Sequence, residues 1–202
     1  NSVTNDSVIR GELIVDEGDP YSALLVNKSI NHIKSRNIFS SVDIQTVDGS
    51  TDDLAVLNIN VEEKATGEIM AGAGIGTAGT SFTAAISENN WLGKGVKLKS
   101  GINVSTEKIS GSISVSDPNY KYSGNSVSTS LEVSSTDRTS TTGYESSKTG
   151  FSLGTSYEQW KNVYFSPKIT MAFEDIEASS TSTSSVKAME GNFFNADFMY
   201  GL

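Results

Sequence analysis

The stretch GEIMAGAGIGTAGTSFTAAISENNWLGKG, Gly67 to Gly95, decides how this chain is read. It opens as a glycine-rich alternating strand, turns back as a second strand and closes on the aromatic-bearing turn Asn89-Asn90-Trp91-Leu92-Gly93-Lys94-Gly95. Before it, the chain reads as a small α+β module. After it, apolar and small polar residues alternate to the last residue, which is the pattern of a sheet with one apolar and one polar face. The junction therefore marks a change of solvent.

Downstream, one apolar face can be named strand by strand. Ile69, Ala71, Ala73 and Ile75 form the first, and Phe82, Ala84 and Ile86 the second. Val96, Leu98, Ile102 and Val104 form the third, and Ile109, Ile113 and Val115 the fourth. Val127, Thr129, Leu131 and Val133 make the fifth, and Phe151, Leu153, Thr155 and Tyr157 the sixth. The seventh carries Val163, Phe165, Ile169, Met171 and Phe173, and the last Phe194, Ala196, Phe198, Tyr200 and Leu202. About eight successive strands of this kind are the signature of an outer-membrane barrel. A secreted β-sandwich or β-solenoid with one wet face would also alternate, and eight strands could close alone or form half of a larger barrel.

The connections sharpen the reading. Compact turns are expected over residues 88–94, 117–123 and 158–162, and long Ser/Thr-rich loops over residues 134–148 and 174–191. Two further short connections are expected near Ala78-Gly79 and Glu107-Lys108. Trp91, Tyr120 and Trp160 all fall in the compact turns, as an interfacial aromatic belt would require.

Upstream, residues 1–64 read as helix, helix, strand, strand. Thr4-Asn5-Asp6-Ser7 can start a helix, Glu17-Gly18-Asp19-Pro20 breaks the chain, and Ser22 can cap a second helix with Val26, Ile30 and Ile33 on one side. Ile38-Phe39 is expected to end that unit. Strands are expected over residues 42–47 and 54–61, joined by the Asp48-Gly49 turn. Two strands and two helices make a thin core, and a preceding strand would complete it. The start carries no signal peptide, and the end stops inside an alternating pattern, so the chain is expected to be part of a longer protein.

Totals agree with this picture. The 202 residues are 36% hydrophobic, carry a net charge of −9 and include no cysteine. An acidic chain is a poor nucleic-acid partner, and cysteine-based metal sites and disulfides are excluded. No apolar run approaches a membrane-spanning helix, which leaves a strand-based crossing open.

At these residues a resemblance can be stated. The run Val61-Glu62-Glu63-Lys64-Ala65-Thr66-Gly67, the Gly72/Gly74/Gly76 strand and Asn90-Trp91-Leu92-Gly93-Lys94-Gly95 together resemble the BamA family, the central subunits of the bacterial outer-membrane β-barrel assembly machinery. Val8-Ile9-Arg10-Gly11-Glu12-Leu13, Glu17-Gly18-Asp19 and Ile38-Phe39-Ser40-Ser41-Val42 resemble its last periplasmic POTRA domain, and Asp117-Pro118-Asn119-Tyr120 the turn after its fourth barrel strand. The first 120 residues carry the specific motifs; beyond them only the alternation matches. The resemblance implies a mainly β fold: residues 1–64 as a POTRA domain lacking its first strand, and residues 66–202 as the N-terminal half of an antiparallel transmembrane barrel. The family barrel has sixteen strands, an Arg-Gly-Phe/Tyr loop and a seam strand that this chain does not contain, and Arg10-Gly11 replaces a commonly paired Arg-Arg. The chain alone is thus not expected to be a working assembly machine.

No catalytic constellation is present, and neither an enzyme activity nor a cofactor is expected. His32 stands without partners for metal or base chemistry. Gly72-x-Gly74-x-Gly76 lies in a strand with no following helix, which is not a dinucleotide loop. Glu62-Glu63 reads as a solvated strand end. What the residues offer is a sheet edge: Glu68, Ile69, Gly72, Gly74, Ile75 and Gly76 on a strand weakened by glycine, able to exchange partners and accept an incoming strand. Equally, the glycines could serve bending or close packing. The resemblance implies the first use, with unfolded outer-membrane proteins as clients, outer-membrane lipid around the barrel, and lipoprotein partners on the periplasmic POTRA segment. Other readings are a passive barrel or surface antigen, and a POTRA-containing two-partner secretion transporter, which the Trp-Leu-Gly-Lys-Gly turn resembles less.

Overall fold

The structure is a computed structural model that describes residues 3–51, 53–76 and 79–202. Part of the connection expected near Ala78-Gly79 lies outside the described residues. The chain forms two compact units, residues 1–67 with 88–96, and residues 68–87 with 97–202.

In the first unit, helix α1 (Asp6–Arg10) starts from Asn5, whose backbone is extended at the N-cap, with Asp6 in the first turn where the helix dipole favours negative charge. Gly18, at φ +98°, allows the reversal before Pro20. Helix α2 (Ala23–Ser35) follows Ser22, which occupies the N-cap without a side-chain cap bond. Val26 and Ile33 are buried on its inner side together with Ser29, whose hydroxyl accepts from Ile14 N at 2.9 Å and donates to Leu25 O at 3.0 Å. Those two bonds explain how a polar side chain tolerates full burial. Strands β1 (Phe39–Asp48) and β2 (Ala55–Glu63) pair antiparallel from Val42–Val61 to Asp48–Ala55. Ile38 and Phe39, expected to end the helical unit, instead enter the core, where Phe39 opens β1. That core joins Val8, Ile9, Ile33, Ile38, Phe39 and Val42.

The turn at residues 90–95 belongs to this unit and is held in it by polar contacts. Asn90, 6% exposed, donates from Nδ2 to Thr4 Oγ1 at 2.9 Å and accepts from Gly95 N at 2.8 Å. Asn5 N donates to Gly93 O at 2.8 Å. Arg36, 8% exposed, donates to Gly95 O at 2.8 Å, and its Nε lies 3.5 Å from Glu12 Oε1. Glu63 is not a solvated strand end: its Oε1 accepts Thr4 N at 2.6 Å and Val3 N at 3.2 Å. The carboxylate was read as solvated because the segment that covers it is distant in sequence. Glycine is required twice in the turn. Gly93 and Gly95 have φ of +70° and +66°, and a Cβ would strike the Val3 carbonyl at the first and the Arg36 guanidinium at the second.

The second unit is an antiparallel meander. Its strands are β3 (Gly67–Gly76), β4 (Gly79–Trp91), β5 (Val96–Ser105), β6 (Lys108–Asp117), β7 (Ser126–Arg138), β8 (Tyr144–Trp160), β9 (Val163–Phe165), β10 (Lys168–Ala178) and β11 (Gly191–Met199). They pair in the order β3-β4-β5-β6-β7-β8-β10-β11, with β9 adding to β8. Register keeps the expected face together: Ile113 faces Leu131, Leu131 faces Phe151, Phe151 faces Met171, and Ile169 faces Phe198. The reverse face sets Ser114 opposite Ser130 and Ser130 opposite Ser152, whose hydroxyls lie 2.6 Å apart. The fold is mainly β, as expected. The seventh expected strand is split into β9 and β10 at Ser166-Pro167, because Pro167 has no N–H to donate to a ladder.

Both long loops are shorter than expected. Strands β7 and β8 continue pairing as far as Arg138–Tyr144, which leaves residues 139–143 as the loop. Strand β10 runs to Ala178, and residues 179–190 contain a short helix, α3 (Ser184–Lys187). Apolar alternation stops where these strands turn polar on both faces, but the main-chain ladder does not need it.

Two outcomes follow for the first unit. Ile33→Ala, at a side chain with no exposure, lowers stability by about 2–5 kcal/mol, read by urea unfolding. Gly93→Ala costs about 1–3 kcal/mol through its left-handed backbone and the blocked Val3 carbonyl, and it speeds hydrogen exchange at the Asn5 amide.

Candidate functional site

Strand β3 ends the sheet. It pairs with β4 on one side, and among the described strands nothing pairs with the other side. Every residue of β3 is exposed, Ile69 at 84% and Ile75 at 89%. Glu68, Gly72, Gly74 and Gly76 alternate with Ile69, Ala71, Ala73 and Ile75, so the glycines share one face. Their surroundings within this chain are open. A Cβ at Gly72 or at Gly76 meets nothing within 4 Å, and one at Gly74 would make ordinary contact with Ser81 Oγ at 3.4 Å. None of the three has a positive φ. Neither close packing nor backbone conformation requires glycine here. Its remaining physical effect is to withhold cross-strand side-chain contacts and to raise the entropic cost of ordering the strand. At the far end of the order, β11 is the other terminal strand, with Phe193, Phe194 and Phe198 exposed.

The first unit carries its own open edge. A groove of about 950 Å³ runs along residues 54–59, floored by Ile9, Leu13 and Val26, and rimmed by Asp6, Asp16, Glu17, Asp19, Asp48 and Asp53 against a single Arg10. Strand β2 is thus the one that lines this groove. The Thr51 hydroxyl, bonded to Asp53, holds that carboxyl below its usual range. Arg10 reaches Glu17 at 3.2 Å on the exposed rim. His32 is exposed, and no group of three potential metal ligands occurs among the described residues.

Trp91 closes β4, Tyr120 starts a 3-10 turn between β6 and β7, and Trp160 closes β8. Within the second unit, the connections after β6 and β8 leave the same end of the antiparallel sheet, so Tyr120 and Trp160 share that end; Trp91 belongs to the first unit. Trp91, Tyr120 and Trp160 are 45%, 43% and 63% exposed. A second aromatic group, absent from the sequence reading, lies beside the last of these turns. Tyr157 meets Phe165 edge-on at 5.8 Å between ring centres, and Tyr200 lies 6.2 Å from Phe165 and 6.3 Å from Phe198. Pairing through β9 brings these rings together. The Arg36, Asn90 and Glu63 network was also missed, since its partners lie about sixty to ninety positions apart and each residue alone looks like a surface residue. Ser29 did carry a signal, a polar residue between Val26 and Ile33 on the inward side of α2.

The POTRA family model, described as a surface antigen variable number repeat, matches residues 1–64. BamA of Neisseria meningitidis serogroup B is 29% identical over 126 residues, which are 61% of this chain and 16% of that protein. BamA of Buchnera aphidicola is 33% identical over 101 residues, 49% of this chain and 16% of that protein. The chain thus spans about a sixth of the length of these relatives. The crystal structure of BamA from Haemophilus ducreyi lacking POTRA domains 1–3 superposes with a TM-score of 0.76 at 21% identity, covering 98% of this chain and 41% of that one. The open antiparallel sheet and the POTRA match at residues 1–64 make this chain a relative of the BamA-type outer-membrane assembly factors.

Proposed function

We propose that the chain is a non-enzymatic component of outer-membrane protein assembly, acting by strand templating at β3. The observation that carries this reading is the edge itself: a terminal strand, open on the side away from β4 among the described strands, whose glycines answer to no packing contact within this chain and no positive φ. An incoming extended segment gains main-chain hydrogen bonds along residues 68–76 and register from alternate side chains, while the glycines keep the bond weak enough to release. The relatives' names, outer membrane protein assembly factors, support the same reading. Residues 1–64 then form the last POTRA domain, lacking its first strand, and residues 66–202 the N-terminal half of the barrel. The protein resides in the bacterial outer membrane with its POTRA segment in the periplasm. Clients are unfolded outer-membrane proteins, and lipid covers the apolar face. The β2 edge and its acidic groove offer a place for a client segment or an accessory lipoprotein. Trp91, Tyr120 and Trp160 sit at the membrane interface on the compact-turn side. The reading needs no cofactor and no catalytic residue.

Three measurements test it. A cysteine at Ile75, placed in the protein as it stands in the outer membrane, crosslinks to the last strand of a stalled client; a folded protein that yields no crosslink overturns the templating role. Gly72→Val with Gly76→Val fits the open space, adds up to ~1 kcal/mol of strand preference per site, and lowers the crosslink yield several-fold by holding β3 to its own neighbour. Depletion of the protein removes many unrelated outer-membrane proteins together, whereas a passive barrel or surface antigen leaves their levels unchanged.

A further inference from the structure

Within the second unit, two neighbouring turns at one end of the sheet repeat the same chemistry. The turn between β6 and β7 carries Tyr120, Lys121 and Tyr122; the turn between β8 and β9 carries Trp160 and Lys161. Because β7 pairs with β8, the two turns are adjacent. Each also contains one carboxylate, and each accepts a backbone amide of its own turn. Asp117 Oδ1 accepts Asn119 N at 3.0 Å, and Glu158 Oε1 accepts Asn162 N at 2.6 Å. The two lysines are Lys121 and Lys161. Both are exposed, and neither enters a salt bridge among the described residues. Lys121 Nζ lies 5.4 Å from the centre of the Tyr120 ring, which orients the ammonium without neutralising it.

The backbone of the first turn is unusual in the same place. Lys121 and Tyr122 are consecutive non-glycine residues in the left-handed region, at φ +53° and +59°. Such a pair is costly where glycine or asparagine would serve, and strain of this kind concentrates where a side chain is being aimed. Here it lies in a turn whose Tyr120 and Tyr122 are 43% and 56% exposed; Trp160, at the neighbouring turn, is 63% exposed. The aromatic group of Tyr157, Phe165 and Tyr200 continues this surface onto the apolar face.

We propose that these two turns form a docking surface for anionic phospholipid headgroups of the leaflet they face, with Lys121 and Lys161 binding the phosphates and Tyr120, Tyr122 and Trp160 seated at the level of the glycerol backbone. The inference rests on the interface reading of Tyr120 and Trp160 and adds the charge of the lipid. Charge complementarity favours this occupant: two exposed ammonium groups lie in turns that also expose three aromatic rings, while the nearby carboxylates accept backbone amides of their own turns. Long lysine stems can lie along the rings and place the charge in the headgroup layer.

The test uses the protein in vesicles, with Trp91→Phe so that emission reports Trp160 alone. Quenching by brominated phosphatidylglycerol is compared with quenching by brominated phosphatidylcholine at equal mole fraction. The expected result is a preference for the anionic lipid of about fivefold per lysine, lost in Lys121→Gln/Lys161→Gln. The same preference collapses in high salt without any lysine change, which keeps the test independent of the double variant. Equal quenching by both lipids overturns the inference and leaves the rings at the interface. Quenching by neither overturns the interface reading as well.

Discussion

Main-chain hydrogen bonding is the interaction on which the second unit depends. Its large apolar side chains are largely exposed, and the buried residues of that unit among those described, Ser152, Gly154 and Ala172, are small. No side-chain core of ordinary size holds it. What holds it is the ladder that runs from β3 to β11, and a ladder has two ends. In lipid an unpaired N–H or C=O costs several kcal/mol, so each strand of the sheet depends on its neighbours for its main-chain bonds.

The first unit solves the opposite problem. Its apolar cluster is small, and polar residues extend it: Thr4, Ser29, Arg36 and Asn90 are all buried and bonded. A network of this kind stabilises only when its members are satisfied together, since each group left unpaired at low exposure is costly. Gly93 and Gly95 admit the main chain where the network needs carbonyl groups. The first unit is therefore specific where the second is permissive. Its turn tolerates few substitutions, whereas the glycines of β3 stand in open space.

Much of the fold is legible in the sequence because period two is a local signal. Val127, Thr129, Leu131 and Val133 declare their face without any knowledge of their neighbours, and the register later places Leu131 beside Phe151. The edge glycines are legible for the same reason, although only the surrounding space shows that packing does not call for them. Loop lengths were misread where pairing outlasts apolar alternation, as between Arg138 and Tyr144. Long-range polar contacts were invisible. Nothing in Glu63 taken alone announces that it will receive the amides of Val3 and Thr4, and nothing in Lys121 announces a left-handed backbone.

The length of β8 has a consequence for what the outside world meets. Seventeen residues at ~3.4 Å each, tilted by about 40°, rise roughly 40 Å, against an apolar band of about 25 Å. The surplus falls at the Tyr144 end, where Ser146, Ser147 and Lys148 replace the apolar residues. The β7–β8 hairpin would thus stand clear of the lipid as a rigid polar fin, ordered by its own ladder rather than by the membrane. Sequence there is free of any hydrophobic requirement while its backbone stays fixed. Such a surface can change its side chains without disturbing the apolar wall below.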